Sequence, residues 1–273
     1  MRLVTYAAEV AKRRLDTLLA ERGLYESRTR AAAAVMAGEV TLGADGRKAE
    51  KPGQMVADDV ELTVEDRPQF VSRGGIKLAN ALDGFGIDPS GRRALDVGAS
   101  TGGFTDCLLQ RGAQAVTTLD VAYGELHWKL RNDPRVTVIE RVNARDFDPA
   151  LLPYAPDLIA IDVSFISLRK ILAAVLAATA ERFDCLAMIK PQFEVGRGRV
   201  GSGGVVHDAA DRRAALIAVG EYVRDEIGAS VLGYASSGLP GPAGNRETFV
   251  WIAEPDRAEA VEDLDAAART VEP

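Results

Sequence analysis

Apolar positions recur along this chain with two different periods, and the change between them divides it. Leu15, Leu18 and Leu19 fall on one face of a helix that Gly23 ends. Ser27 is placed to cap a second helix through Ala31–Met36, which Gly38 closes. Strand-like runs follow at Val40–Leu42 and Val60–Val64, with turn signals at Asp45-Gly46 and Pro52-Gly53 between them. Residues 12–65 thus predict a small α+β unit, too small for a sizeable core and suited to binding, behind an N-terminal tail of residues 1–11. Residues 66–72 predict a linker, with Ser72 placed to cap the next helix.

From residue 73 to residue 273 the pattern is continuous apolar runs alternating with helical stretches. The runs are Ala94–Val97, Ala115–Leu119, Val136–Ile139, Leu158–Ile161, Cys185–Ile189, Ala229–Gly233 and Thr248–Ile252; helical stretches include 104–111, 167–181 and 209–227. Such alternation predicts an α/β domain with a mainly parallel, doubly wound seven-stranded sheet. Ligands of such sheets bind at the carboxyl ends of the strands.

Composition narrows the classes. Hydrophobic residues at 47% and charged residues at 27% are the balance of a globular protein. The longest apolar stretch, Ile171 to Ala180, is half the roughly 20 residues of a membrane helix. No apolar leader with a cleavage site opens the chain, and two cysteines, Cys107 and Cys185, are too few for a disulfide framework. The cytoplasm is the expected location. With His127 and His207 as the only histidines, no metal site is expected. The net charge of −7 argues weakly against a nucleic-acid partner, but charge is segregated: Lys12 to Arg30 hold six cations and three acids, and acids crowd the tail from Glu254.

The strongest local motif is Asp96-Val-Gly-Ala-Ser-Thr-Gly-Gly-Phe-Thr-Asp106, between a strand and a helix. Its glycines let backbone approach a ligand closely, and the helix start offers free N–H groups. The spacing is neither Gly-x-Gly-x-x-Gly nor a phosphate-binding Gly-Lys-Ser/Thr loop. Asp120, at the end of the second strand, is placed to accept hydrogen bonds from a ribose diol. Asp96 and Asp120 together suit adenosylmethionine, a cation with a ribose, better than an anionic dinucleotide. Gly98-Ala-Ser100-Thr-Gly102 also matches the nucleophile elbow of α/β hydrolases. His207 beside Asp208 makes a poor triad, however, and His127 would need Asp120 as its acid. Asp162 and Lys190 end neighbouring strands and face one crevice, either as a salt bridge or as a reactive pair. Gly196 to Gly204 is a basic, glycine-rich loop carrying Arg197 and Arg199, either a phosphate-reaching lid or a plain connection.

The strings RLDTLLAERGLYESRTRA, SRGGIKL, LDVGASTGGFTD, LRNDPRV, DVSFISL, IKPQFEVGRGRVGSGGVVHD and LPGPAGNRETFVW occur in one order. Together, from about Lys12 to about Trp251, the chain resembles the TlyA (haemolysin A) family of ribosomal RNA 2′-O-methyltransferases, relatives of the FtsJ/RrmJ methyltransferases. The resemblance implies an RNA-binding domain of the ribosomal protein S-four type at 12–65 and a Rossmann-like methyltransferase domain from 73 onward. It implies a Lys-Asp-Lys-Glu tetrad, here Lys77, Asp162, Lys190 and Glu247; Glu194 lies in a family motif but outside the tetrad. It implies S-adenosylmethionine as cofactor, with Asp96, Gly98, Ser100, Thr101, Gly102, Gly103, Phe104, Asp120, Asp146 and Asp162 at its site.

The partners implied are ribosomal RNA and ribosomal subunits, met by Arg13, Arg14, Arg22, Arg28, Arg30, Arg73, Arg197 and Arg199. The methylated group is the 2′-hydroxyl of a cytidine in large-subunit RNA, with the small subunit left open. No metal and no membrane is implied, and a monomer is the default. Lys190 is expected to orient or deprotonate the hydroxyl, or to stabilise the developing alkoxide. Two other classes stay open beside this one: a membrane-active protein, as the haemolysin name suggests, and an RNA-binding module on a degenerate enzyme. The intact tetrad positions disfavour the latter.

Overall fold

The computed structural model describes residues 12–64 and 69–272, apart from the Arg197 side chain. The chain parts into two compact units, dividing between Arg67 and Pro68.

In the first unit, strand β1 (Lys12–Arg14) runs into helix α1 (Leu15–Glu21), followed by α2 (Arg28–Met36). The Ser27 side chain accepts the Arg30 N–H, satisfying a donor that the first helical turn leaves free. Strands β2 (Val40–Leu42), β3 (Arg47–Lys48), β4 (Met55–Ala57) and β5 (Leu62–Val64) follow. β2 pairs antiparallel with β3 and β5, and β1 with β4. Leu15, Leu18, Leu19, Ala31, Ala34, Val35, Val40 and Leu42 make its core. β1, β3 and β4 escape the sequence pattern: Lys12–Arg14 and Arg47–Lys48 are all cations with no apolar position to mark a strand, and Met55–Ala57 is a three-residue run.

The second unit begins with α3 (Gly74–Phe85). Ser72 does not cap it: Arg73 holds the cap position, and no side chain bonds the free N–H groups there. Then come β6 (Arg93–Val97), α4 (Gly103–Gln110), β7 (Ala115–Asp120), α5 (Trp128–Arg131), β8 (Val136–Glu140) and β9 (Leu158–Ile161). The chain closes with α6 (Leu172–Leu176), β10 (Asp184–Ile189), α7 (Pro191–Glu194), α8 (Ala209–Glu221), β11 (Ser230–Ser236), β12 (Thr248–Ala253) and α9 (Leu264–Arg269). The helix expected over 167–181 is shorter, a 3₁₀ turn at Leu168–Lys170 and then α6. The one expected over 209–227 turns into a π segment at Tyr222–Ile227.

The sheet order is β11-β12-β10-β9-β6-β7-β8, parallel except where β12 pairs with β10 and β11. Period-two alternation sends each strand's side chains into two layers. Leu158 and Ala160 join Leu186 and Met188 against Leu78, Leu82, Phe104 and Leu108 of α3 and α4. Ile159 and Ile161 join Cys185, Ala187 and Ile189 against Leu172, Val175, Leu216 and Val219 of α6 and α8. Both faces are covered, which is why the strands are apolar throughout. Chain order reverses beside β6, whose neighbours are β7 and β9, and the crevice opens at the carboxyl ends there.

Candidate active site

The turn after β6 is shaped by close approach. Gly98 has φ +82°, and a Cβ there would lie 2.4 Å from the carbonyl oxygen of Asp162. Gly98 N–H bonds Leu119 O at 2.8 Å and Asp162 N–H bonds Val97 O at 2.9 Å, so the loops after β6, β7 and β9 are tied together. Ser100 also adopts a left-handed conformation, φ 45°, unusual for a residue with a side chain. Its N–H donates to Asp120 Oδ2 at 2.7 Å and its hydroxyl donates to Glu125 at 3.1 Å. Asp120 Oδ1 accepts the Ala122 N–H at 2.8 Å.

Two cavities flank this turn. The first, about 340 Å³, is lined by Gly98, Ser100, Asp120, Glu125 and Asp162 and walled by Val121, Val142, Ile166 and the exposed Phe165. Asp120 keeps acceptor capacity beyond its two backbone donors, since each carboxylate oxygen carries two lone pairs. Three carboxylates on apolar walls suit a cation that carries hydroxyls and a flat ring. The second cavity, about 510 Å³, is lined by Lys77, Asp162, Lys190 and Glu247 together with Arg73, Thr101, Gly103, Phe104 and Ser164. Gly98, Ser100, Asp162 and Ser164 belong to both.

Four charged residues, from α3 and the ends of β9, β10 and the β11–β12 connection, therefore meet in one crevice. They form two pairs. Lys77 Nζ contacts Glu247 Oε2, and both side chains are buried. Lys190 Nζ lies 2.5 Å from Asp162 Oδ1 and donates to Ser164 Oγ at 2.9 Å. The Lys190–Asp162 contact is charge on charge, with no well-aligned hydrogen bond to Oδ1. The connection carrying Glu247 is held by one face of α3 and its cap residue: Arg73 donates to Pro240 O, Lys77 to Glu247 and Asn80 to Ser237 O. Those positions are four and three residues apart, one helical face.

Other expected site residues fall elsewhere. Asp96 is fully buried and lines neither cavity; Oδ2 accepts from Thr105 N–H and Oγ1, while Oδ1 has no partner. Burial pushes its carboxyl up to about 7. Gly102 packs on Leu126 and Leu130, and Asp146 is exposed and does not line the first cavity. Glu194 accepts from Ser167 Oγ and Leu168 N–H, a role internal to the fold. Ser100 has no histidine partner: its hydroxyl bonds Glu125, and His127 Nδ1 accepts the Lys129 N–H at the start of α5. Sequence reasoning missed Glu125, Asn143 and Phe165 as lining residues; none stands in a spacing that marks it, and only Phe165 lies inside a motif.

In the first unit, Arg14 and Arg28 pair with Asp16, Arg13 pairs with Glu21 and Asp58, and Arg22 donates to Asp58 O and Val60 O. The Arg14 hydrogen bond leads the interactions that hold the Asp16 carboxyl well below its usual range. Arg30 is exposed. In the second, Arg199 pairs with Asp211 at 3.3 Å.

Residues 70–254 match the FtsJ-like methyltransferase family, and residues 13–62 match the S4 domain. The chain belongs to the TlyA family of FtsJ-like methyltransferases. It is 47% identical to the 16S/23S rRNA (cytidine-2′-O)-methyltransferase TlyA of Mycobacterium tuberculosis, over 93% of this chain and 95% of that one. It is 33% identical to the 23S rRNA (cytidine-2′-O)-methyltransferase TlyA of Campylobacter jejuni, over 67% of this chain and 70% of the relative. A solved structure named as a hemolysin, from Streptococcus thermophilus, superposes with a TM-score of 0.69 at 35% identity, covering 96% of each chain. The TlyA membership makes this chain an enzyme of methyl transfer with an N-terminal S4 domain.

Proposed function

We propose that this chain transfers a methyl group from S-adenosylmethionine to the ribose 2′-hydroxyl of a cytidine in ribosomal RNA, of the large subunit first and of the small subunit as a second substrate. The carrying observation is the shared wall. A cavity lined by carboxylates and apolar side chains meets, across Gly98, Ser100, Asp162 and Ser164, a second that holds two lysine–carboxylate pairs. When bound, the cofactor supplies an activated methyl group on a sulfonium. Asp120 has acceptor capacity left for a ribose diol, Glu125 and Asp162 favour a cation, and Val121, Val142 and Ile166 offer walls for a flat base.

A 2′-hydroxyl is a weak nucleophile, so alignment and help with one proton are the main needs. Lys190, between Asp162 and Ser164, is placed to hold the hydroxyl oxygen and to stabilise its negative charge as the proton leaves to water. The buried Lys77–Glu247 pair frames the same space from α3. The domain division at 12–65 and 73–273 assigns RNA capture to the S4 unit, with the arginines from Arg13 to Arg30 near phosphates. Arg73 and the 196–204 loop would guide the strand to the crevice. Cytoplasmic action follows from a ribosomal substrate, and both cysteines are free and buried. Among the described residues, no helix is long and apolar enough to cross a membrane.

The test incubates purified protein with radiolabelled S-adenosylmethionine and separated small or large subunits, then maps the labelled nucleotide. Label on a cytidine ribose is expected; no label in either RNA would overturn the proposal.

A further inference from the structure

The acidic tail, which no motif covers, ends in a buried charge. Glu272 is 2% exposed and Arg212, on α8, is 9% exposed. Arg212 Nε and Nη2 donate to the two Glu272 carboxylate oxygens at 2.9 and 2.8 Å. Its remaining nitrogen, Nη1, donates to the carbonyls of Val206 and His207, at 3.2 and 2.8 Å. One guanidinium thus joins the chain's last described turn to the strand of backbone that leaves the glycine-rich loop. Arg213 donates to the Glu272 carbonyl at 3.0 Å, doubling the attachment.

The same segment is gripped from its other side by Asn245, which is 1% exposed. Its Oδ1 accepts the Val206 N–H at 2.9 Å and its Nδ2 donates to Gly204 O at 2.8 Å. Asn245 stands two residues before Glu247, and its carbonyl accepts the Gly241 N–H at 2.9 Å, closing the turn that presents Glu247 to Lys77. The buried polar groups form one chain: Glu272, Arg212, the 204–207 backbone, Asn245, then the Glu247 turn. Within it Arg212 and Asn245 each bond more than one segment, so a shift of either breaks bonds made by buried groups.

We infer that Arg212 and Glu272 are positioning residues for methyl transfer, acting through residues 204–207 and Asn245 to hold Glu247 in register with Lys77. The inference rests on the methyltransferase reading above and deepens it. Neither residue lines the cofactor cavity or the tetrad cavity, so their effect on the reaction runs through geometry. A misplacement of about 1 Å at a reacting group can cost on the order of 100-fold in rate.

The test compares the full-length wild type with Glu272→Gln and Arg212→Lys. Glutamine keeps the volume but turns an amide toward the guanidinium, and lysine cannot serve two carboxylate oxygens and two carbonyls at once. In both variants kcat is expected to fall by about tenfold or more. KM for RNA and the dissociation constant of S-adenosylmethionine should stay within about threefold, because only interactions made in the transition state are lost. Hydrogen exchange at the Val206 amide should quicken in both. A melting curve sets an assay temperature at which each variant is folded. Wild-type kcat in either variant, or a loss confined to KM, would overturn the inference. Absence of any methyl transfer by the wild type would instead strike the parent proposal.

Discussion

The two lysines of the crevice look alike in sequence and differ in surroundings. Lys77 and Glu247 are a buried pair, so Lys77→Ala strands a carboxylate; a loss of about 3–5 kcal/mol is expected, read as a lowered melting temperature. Lys190 faces a partly exposed Asp162, so Lys190→Ala should cost less stability than Lys77→Ala, keep cofactor affinity, and lower kcat by about 100-fold or more. Turnover near wild type in Lys190→Ala would refute its assigned role. Asp96 gives a prediction of the opposite kind, in pH. Its carboxyl is pushed up to about 7 by burial, with Asp162 and Asp120 adding repulsion and Thr105 bonds opposing. Between the ordinary carboxylate value and about 7, the folded chain binds a proton that the unfolded chain releases. Stability should therefore decline as pH rises through that window, and Asp96→Asn should flatten the decline in melts taken from pH 4 to pH 8.

The site's geometry belongs to elements rather than to single side chains. The turn between β6 and α4 brings backbone against backbone, and Gly98 permits it. Gly98→Ala adds a methyl 2.4 Å from Asp162 O at a left-handed φ. A destabilisation of at least about 1–2 kcal/mol is expected, with weaker cofactor binding by calorimetry; an unchanged melt would remove the close approach from the explanation. The glycine run and its strand-to-helix setting were readable in the sequence because the motif is local. The shortening of the helix expected over 167–181 was not: Ala173 to Ala180 carry good local propensity, yet the helix stops at Leu176, and the turn before it is fixed by a distant residue, Glu194, which accepts from Ser167 Oγ and Leu168 N–H.

The whole molecule divides its charge. An overall net charge of −7 coexists with a local excess of cations from Lys12 to Arg30, six against three acids, so RNA binding through that stretch should be salt-dependent and cofactor binding much less so. If the exposed Arg30 meets a phosphate, Arg30→Ala should lower the slope of log K against log salt by about 0.7–0.9, measured by filter binding over a salt series. An unchanged slope would take Arg30 off the interface. The neighbouring arginines are a poorer test, because Arg14 and Arg28 also hold the buried Asp16. The alternation of apolar runs, the division into two units and the family motifs were all set by residue order, since period and local turn chemistry are written in short stretches. Residue order already places Asp162 and Lys190 together, at the ends of neighbouring strands; what folding alone decided is which other distant charges pair: Lys77 with Glu247, 170 residues apart, and Arg212 with Glu272. Those partners depend on strand order and on which helix face meets which loop, and neither has a signature in the local pattern of residues.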